Sequence, residues 1–197
     1  MQPMEYLRAA DPRLARILRP QPMRTRRQGD VYVDLLESIL SQQLSGKAAS
    51  TIISRFLDLF PHRYPTPARL RRMSPATLRA AGVSRQKAGY LRNVAIFAAR
   101  HGLDRRRLAR LSDVEIIDQL TQIKGVGHWT AEMLLMFSLN RPDVFAADDL
   151  GLQTAMRQLY GLRGRGARFR KRLIAIAEKW RPYRTLVCKC LWQWRAT

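Results

Sequence analysis

Cysteine is nearly absent from this 197-residue sequence: Cys188 and Cys190, one residue apart in an apolar run, are the whole supply. Two cysteines cannot build a disulfide framework, a four-cysteine zinc site or a four-cysteine iron–sulfur cluster, and they read as structural thiols. Histidine is as sparse. His62, His101 and His128 lie far apart without partners at ligand spacing, which excludes a transition-metal site of side chains. Long apolar runs are missing too. The longest uncharged part of the central helix is Met133 to Asn140, well short of the roughly 20 residues of a spanning helix. The opening Met1-Gln2-Pro3-Met4-Glu5-Tyr6-Leu7-Arg8 has no signal-peptide core. Neither a Walker-type loop nor a dinucleotide fingerprint occurs, so no organic cofactor is expected. The expectation is a soluble, cytoplasmic protein with no membrane partner.

Acidic side chains are the other shortage. Fifteen Asp and Glu face 36 Lys and Arg, 30 of them Arg, for a formal net charge of +21. That imbalance predicts a polyanionic partner, nucleic acid or an anionic surface. The anionic membrane is disfavoured because arginines interrupt most apolar faces and no anchor helix stands out. The runs at Arg24–Arg27, Arg69–Arg72 and Arg105–Arg107 read as solvated faces that add salt-dependent background affinity. At 46% hydrophobic residues the chain can still bury a core, as one compact unit or as two lobes sharing a cleft. The excess of Arg over Lys fits a GC-rich genome.

Apolar residues recur mostly every three or four positions, the helical period. Val31, Leu35, Leu36, Ile39 and Leu40 trace one face; Ala48, Ile52, Phe56 and Leu59 trace the next, stopped by Pro61. Ser74-Pro75-Ala76 reads as an N-cap with proline at the first helical position, Ser84 opens a helix that stops near Gly102, and Ser112 with Glu115 forms a capping box. A helix is expected from about His128 to Leu139 and another after Asp149, followed by the basic, glycine-rich loop Gly161–Gly166 and two more helices. No alternating strand is convincing, so the fold class is all-α.

The most informative segment is Ile123-Lys124-Gly125-Val126-Gly127-His128-Trp129-Thr130-Ala131, between two expected helices. Two glycines around an apolar residue let the chain reverse tightly and approach another surface. The amides of Gly125 and Gly127 then lie at the start of the next helix, where its dipole favours an anion. An ordinary helix–turn–helix corner is the alternative.

This hairpin, followed after a spacer by Phe145-Ala146-Ala147-Asp148-Asp149, resembles the helix-hairpin-helix Gly-Pro-Asp (HhH-GPD) superfamily of DNA glycosylases, and within it the 3-methyladenine DNA glycosylase II (AlkA) type. Tyr6–Leu14, Ser41–Ala49, Gly82–Ala88 and Trp180–Arg184 fit the same pattern, so the likeness runs from residue 5 to residue 195. It implies two helical lobes with a cleft: a six-helix barrel over residues 30–140, with the helix-hairpin-helix at 112–139, and a second lobe from 1–29 plus 141–197. The extra N-terminal α/β domain common in the AlkA type finds no room here.

The resemblance implies a glycosylase acting as a monomer on duplex DNA that contains alkylated bases, in base excision repair and at the bacterial nucleoid. Asp149 matches the catalytic carboxylate, which stabilises an oxocarbenium-like sugar and steers water; a plain helix N-cap is its alternative role. Bifunctional members place a Schiff-base lysine two residues after the second hairpin glycine. Here that position is Trp129, which implies a monofunctional enzyme without lyase activity. Trp129 and Trp192 match ring contacts of the base pocket, where indole attracts a cationic alkylpurine, although core packing would explain either. Met133 stands where the AlkA type has a pocket tyrosine, a departure that bears on substrate range. The target base must be flipped out. Leu44 and Ser45 occupy the matching wedge loop, and Gln42 and Gln43 are candidates to bond the orphaned base or the backbone. Leu44 could equally be core. The resemblance also implies a Na+ or K+ ion on the backbone carbonyls of Thr121, Ile123 and Val126, and a phosphate contact from Thr130. It leaves the preferred base open among 3-methyladenine, 7-methylguanine, 1-methyladenine, ethenoadenine and hypoxanthine. The main alternative is a helix-hairpin-helix protein that binds damaged or bent DNA without cutting it; a lyase for oxidised bases is a second.

Overall fold

The computed structural model describes residues 2–19 and 30–196; the Arg24–Arg27 run lies outside them. Twelve α-helices and three short 3-10 turns order the described residues, with no strand among them, as the all-α expectation requires. No helix among the described residues is long and apolar enough to cross a membrane. Close backbone approaches divide the chain into two units, Arg27–Leu134 and Met1–Arg26 with Leu135–Thr197.

In the unit Arg27–Leu134, the helices are α2 (Val31–Ser41), α3 (Gly46–Asp58), α4 (Pro67–Arg72), α5 (Pro75–Ala80), α6 (Arg85–His101), α7 (Arg105–Leu108), α8 (Asp113–Thr121) and the start of α9 (His128–Phe137); α1 (Pro3–Ala10) belongs to the other unit. Their starts are written in the sequence. Ser45, Thr66, Ser74, Ser84, Asp104 and Ser112 each take a first-turn backbone N–H on the side-chain oxygen, a cap contributing about 1 kcal/mol. Glu115 closes the capping box with Ser112, whose backbone and hydroxyl hydrogen bonds lower the Glu115 pKa. At the centre, α6 packs on α2, α4 and α5 through buried Ala88, Leu91, Val94 and Ala95. The α2 face expected from the spacing is buried in full. On α3 the expectation slips by one position: Ala49 is buried and Ala48 exposed, and Phe60 rather than Leu59 completes the face with Phe56. Adjacent alanines give no side-chain cue to helical phase.

The second unit holds α1, a 3-10 turn at Pro12–Arg16, the end of α9, α10 (Leu150–Tyr160), α11 (Gly166–Ala177), a 3-10 turn at Glu178–Trp180 and α12 (Arg184–Ala196). Buried Asp11 is its polar hub. It accepts from Arg13 N–H, the Tyr160 hydroxyl at 2.7 Å and the indole N–H of fully buried Trp180 at 3.2 Å. Burial, and then Asp11, push the Tyr160 phenol well above its ordinary range. A carboxylate with three donors avoids the cost of an unpaired buried charge.

The helix α9 stops at Phe137, two residues before the expected Leu139. Asn140 turns left-handed (φ 55°) and Arg141 N–H reaches back to Leu135 O at 2.9 Å. The following turn is fastened to α12. Arg184 grips the Asp143 carboxylate through Nε at 2.7 Å and Nη2 at 3.0 Å, while the Thr185 hydroxyl donates to Arg141 O and accepts from Val144 N–H. These bonds set residues 141–149 against the helix that carries Trp192. Cys188 and Cys190 are buried on α12, and burial raises the Cys190 thiol pKa.

Candidate active site

Between α8 and α9 the chain reverses within six residues. Ile123 N–H bonds Leu120 O, Val126 N–H bonds Ile123 O, and Ala131 N–H bonds Gly127 O as the new helix starts. The two glycines have different reasons to be there. Gly125 has φ +107°, and a Cβ on it would lie 2.2 Å from Cγ of Tyr90, so packing forbids a side chain. Gly127 has neither constraint: its φ is not left-handed and a Cβ would meet nothing within 4 Å. Its bareness leaves the backbone open to a partner that must come close, as the phosphate reading requires. Thr130 is buried at 3% exposure.

The loop Gln42–Ser45 is tied to this hairpin. Gln42 Nε2 donates to Gly125 O at 3.3 Å, and Asn93 on α6 donates to Lys124 O at 3.2 Å. Lys87 Nζ holds the carbonyls of Leu40 and Gln42 at 2.7 and 2.8 Å, its pKa lowered by burial. Gln42, offered above as a contact for DNA, thus gives one amide N–H to the protein. Gln43 takes a left-handed backbone (φ 59°), Leu44 is 38% exposed rather than core, and Ser45 caps α3. Asn93 and Gln42 take the carbonyls of Lys124 and Gly125; of those the cation reading needs, Ile123 O already accepts the Val126 N–H at 2.9 Å. Carbonyl oxygens are the donors a hard monovalent ion prefers, and a carbonyl that accepts one N–H keeps a second lone pair.

Trp129, Met133 and Phe137 follow one another at four-residue spacing and so share one face of α9. Trp129 and Phe137 are large exposed apolar side chains, while Glu132 is buried, its carboxylate 3.3 Å from His128 Nδ1. Phe137 stacks on Trp192, ring centroids 5.8 Å apart, and Lys189 Nζ lies 5.2 Å from the Phe137 ring, its pKa lowered by burial. Phe137 escaped the sequence reading, although its spacing from Trp129 and Met133 carried the signal.

Asp149 is partly buried and caps α10. Its Oδ1 accepts the Leu152 N–H at 2.7 Å and the Trp192 indole N–H at 2.8 Å. The cap, one of the two roles the sequence offered for Asp149, is therefore present. Neighbouring Asp148 is engaged elsewhere, paired with Arg170 Nε at 2.8 Å. Gly151 presses into the same place. A Cβ there would lie 3.0 Å from Asp149 Oδ1, 3.2 Å from Trp192 Cδ1 and 3.3 Å from Arg195 Nη1. Nothing in the sequence had marked Gly151 or Arg195.

The description "HhH-GPD superfamily base excision DNA repair protein" matches residues 36–182. DNA-3-methyladenine glycosylase 1 of Schizosaccharomyces pombe is 38% identical over 176 residues, 88% of this chain and 76% of that protein. In structure the chain is similar to the S. pombe 3-methyladenine DNA glycosylase Mag1 in complex with abasic DNA, with TM-score 0.85, 33% identity and coverage of 98% and 96%. It is also similar to the DNA-3-methyladenine glycosidase of Bacillus halodurans, with TM-score 0.84, 37% identity and coverage of 100% and 90%. The chain belongs to the HhH-GPD superfamily of base excision DNA repair proteins.

Proposed function

We propose that this protein is a monofunctional DNA glycosylase that releases alkylated purines, 3-methyladenine among them, from duplex DNA by hydrolysis. The observation that carries the reading is Asp149: a partly exposed carboxylate held by two N–H donors on one oxygen, beside the ring of Trp192. As the glycosidic bond breaks, positive charge moves from the alkylated base to the sugar. The base leaves neutral and Asp149 stabilises the oxocarbenium-like sugar. Water adds to C1′ and its proton passes to the carboxylate. Trp192 supplies a π-face for the cationic base, joined by Trp129 and Met133, each indole contributing about 1–2 kcal/mol.

In this reading residues 30–140 act as the barrel lobe, and 1–29 with 141–197 as the second. The Gly125 and Gly127 amides, with Thr130 at the helix start, hold a DNA phosphate. Leu44, flanked by Gln43 and Ser45, fills the gap left by the flipped nucleotide. A Na+ or K+ ion on the carbonyls of Thr121, Ile123 and Val126 would stiffen the turn and add positive charge near that phosphate. With Trp129 in the lysine position no lyase step follows, and the protein works as a monomer in the bacterial cytoplasm.

The test is base release from randomly methylated duplex DNA, wild type beside Asp149→Asn, with the freed bases separated by chromatography. The wild type is expected to release methylated purines and the variant to lose about a hundredfold or more in rate. Salt-sensitive binding without release from either would leave a DNA-binding module instead.

A further inference from the structure

The glycine-rich loop Gly161–Gly166 has no part in the reading above, yet it lies in a long stretch of one-sided charge. From Leu150 to Ala177 there is no acidic residue, against seven cations: Arg157, Arg163, Arg165, Arg168, Arg170, Lys171 and Arg172. The structure gathers most of them around two adjoining hollows. One, of about 380 Å³, is lined by Arg163, Arg165, Arg168 and Arg172 with Gly164 and Phe169. The other, of about 710 Å³, starts at Asp148 and Leu150, on either side of Asp149, and passes Gln153 and Arg157 to reach Arg165 and Arg170. Its one carboxylate, Asp148, is already paired with Arg170.

We infer that this groove is a second contact for the DNA backbone, carrying the phosphates of the strand that leads away from the flipped nucleotide. The inference rests on the glycosylase reading for its substrate. Like-charged guanidinium groups repel one another, and a hollow lined by four of them is relieved by a ligand that brings negative charge at regular intervals, as a phosphodiester chain does. The scaffold beneath is fixed. Arg157 lies 4.1 Å from the Phe169 ring centroid and donates to Gly164 O at 2.9 Å, holding the loop while Arg163, Arg168 and Arg172 stay exposed. Gly161, Gly164 and Gly166 all have positive φ, and a Cβ on any of them would meet nothing within 4 Å, so the backbone there is also open to close approach. The 11 residues of α10 separate Asp149 from the loop by about 16 Å at 1.5 Å per residue. That is about five nucleotides of strand at 3.4 Å each.

The test combines Arg163→Gln, Arg168→Gln and Arg172→Gln in one variant, with the three Arg→Lys changes as a charge-preserving control. Affinity for a lesion duplex is measured against salt, and single-turnover base release at saturating enzyme. Loss of three phosphate contacts makes the slope of log K against log[salt] shallower by about 2 to 3. Affinity is expected to fall at least tenfold at low salt, the release rate at saturation to stay unchanged, and the lysine variant to keep the wild-type slope. In the wild type, neutral methylphosphonates three to five nucleotides from the lesion, on one side only, weaken binding; in the glutamine variant they have no effect. An unchanged slope, or the same methylphosphonate pattern in both proteins, overturns the proposal. Wild-type base release is read separately, so its absence would count against the glycosylase reading and not against the groove.

Discussion

The indole N–H of Trp192 and the backbone N–H of Leu152 meet on the same oxygen of Asp149, at 2.8 and 2.7 Å. One donor belongs to α12 and the other to the first turn of α10, so the carboxylate is oriented by both helices. In the proposed function Trp192 thus has two tasks, a π-face and a hydrogen bond, that substitution can separate. Trp192→Phe keeps an aromatic ring and removes the donor. A hydrogen bond to a charged group contributes about 1.5–3 kcal/mol, so the single-turnover rate is expected to fall by about 10- to 100-fold while affinity for lesion DNA changes little. A variant that loses affinity but keeps its rate would assign Trp192 to base binding alone.

Gly151→Ala probes the same place by pressure. The new methyl group would sit within 3.0 to 3.3 Å of Asp149, Trp192 and Arg195, so these side chains must yield by tenths of an ångström. Base release is expected to drop about tenfold or more, since small misplacements of a reacting group are costly. The thermal midpoint should move little, because the helix gains in propensity what it loses in strain. Unchanged turnover would mean that the carboxylate tolerates displacement.

The hairpin glycines give opposite expectations. Gly125→Ala drives a Cβ into the Tyr90 ring at a backbone angle that alanine avoids, and is expected to destabilise by about 2–4 kcal/mol, read as a lower midpoint in urea. Gly127→Ala should leave the urea midpoint unchanged and weaken DNA binding, because only an approaching partner meets the methyl group. Equal stability losses in the two variants would contradict this distinction.

The cysteines yield a chemical test. Both are buried, the Cys190 thiol is held protonated by burial, and Cys188 Sγ lies 3.7 Å from Val144 O. A thiol reagent should label neither in the folded protein at pH 8 and both in denaturant, at rates that follow global opening. Fast labelling of the native protein would mean that α12 opens locally.

Much of the architecture could be read from local chemistry. Ser74, Ser84 and Ser112 announced helix starts, Gly102 a stop, and the spacing of Val31 to Leu40 a buried face; the structure places each as expected. Asp149 was readable as a cap, because a cap residue and the first turn it serves lie within a few positions. What escaped were partners distant in sequence. Tyr90 fills the space under Gly125 from another helix, and Asp11 finds Trp180 169 residues away. Lys87 serves carbonyls 45 and 47 positions earlier. Contacts of this kind leave no period or cap in the sequence, since any polar residue at the right point in space would serve.

Lys87 and Gln42 give the loop at Leu44 a mechanical connection. Lys87 anchors the carbonyls on which the loop hangs, and Gln42 passes any movement of it directly to Gly125. In the proposed function, a side chain pushing on a base pair would therefore tug on the turn assigned to the DNA backbone. With Leu44 as the probe, resistance from a sound pair would loosen the grip and let the protein move on. A pair that gives way would let the grip settle. Sensing and holding would then be one motion.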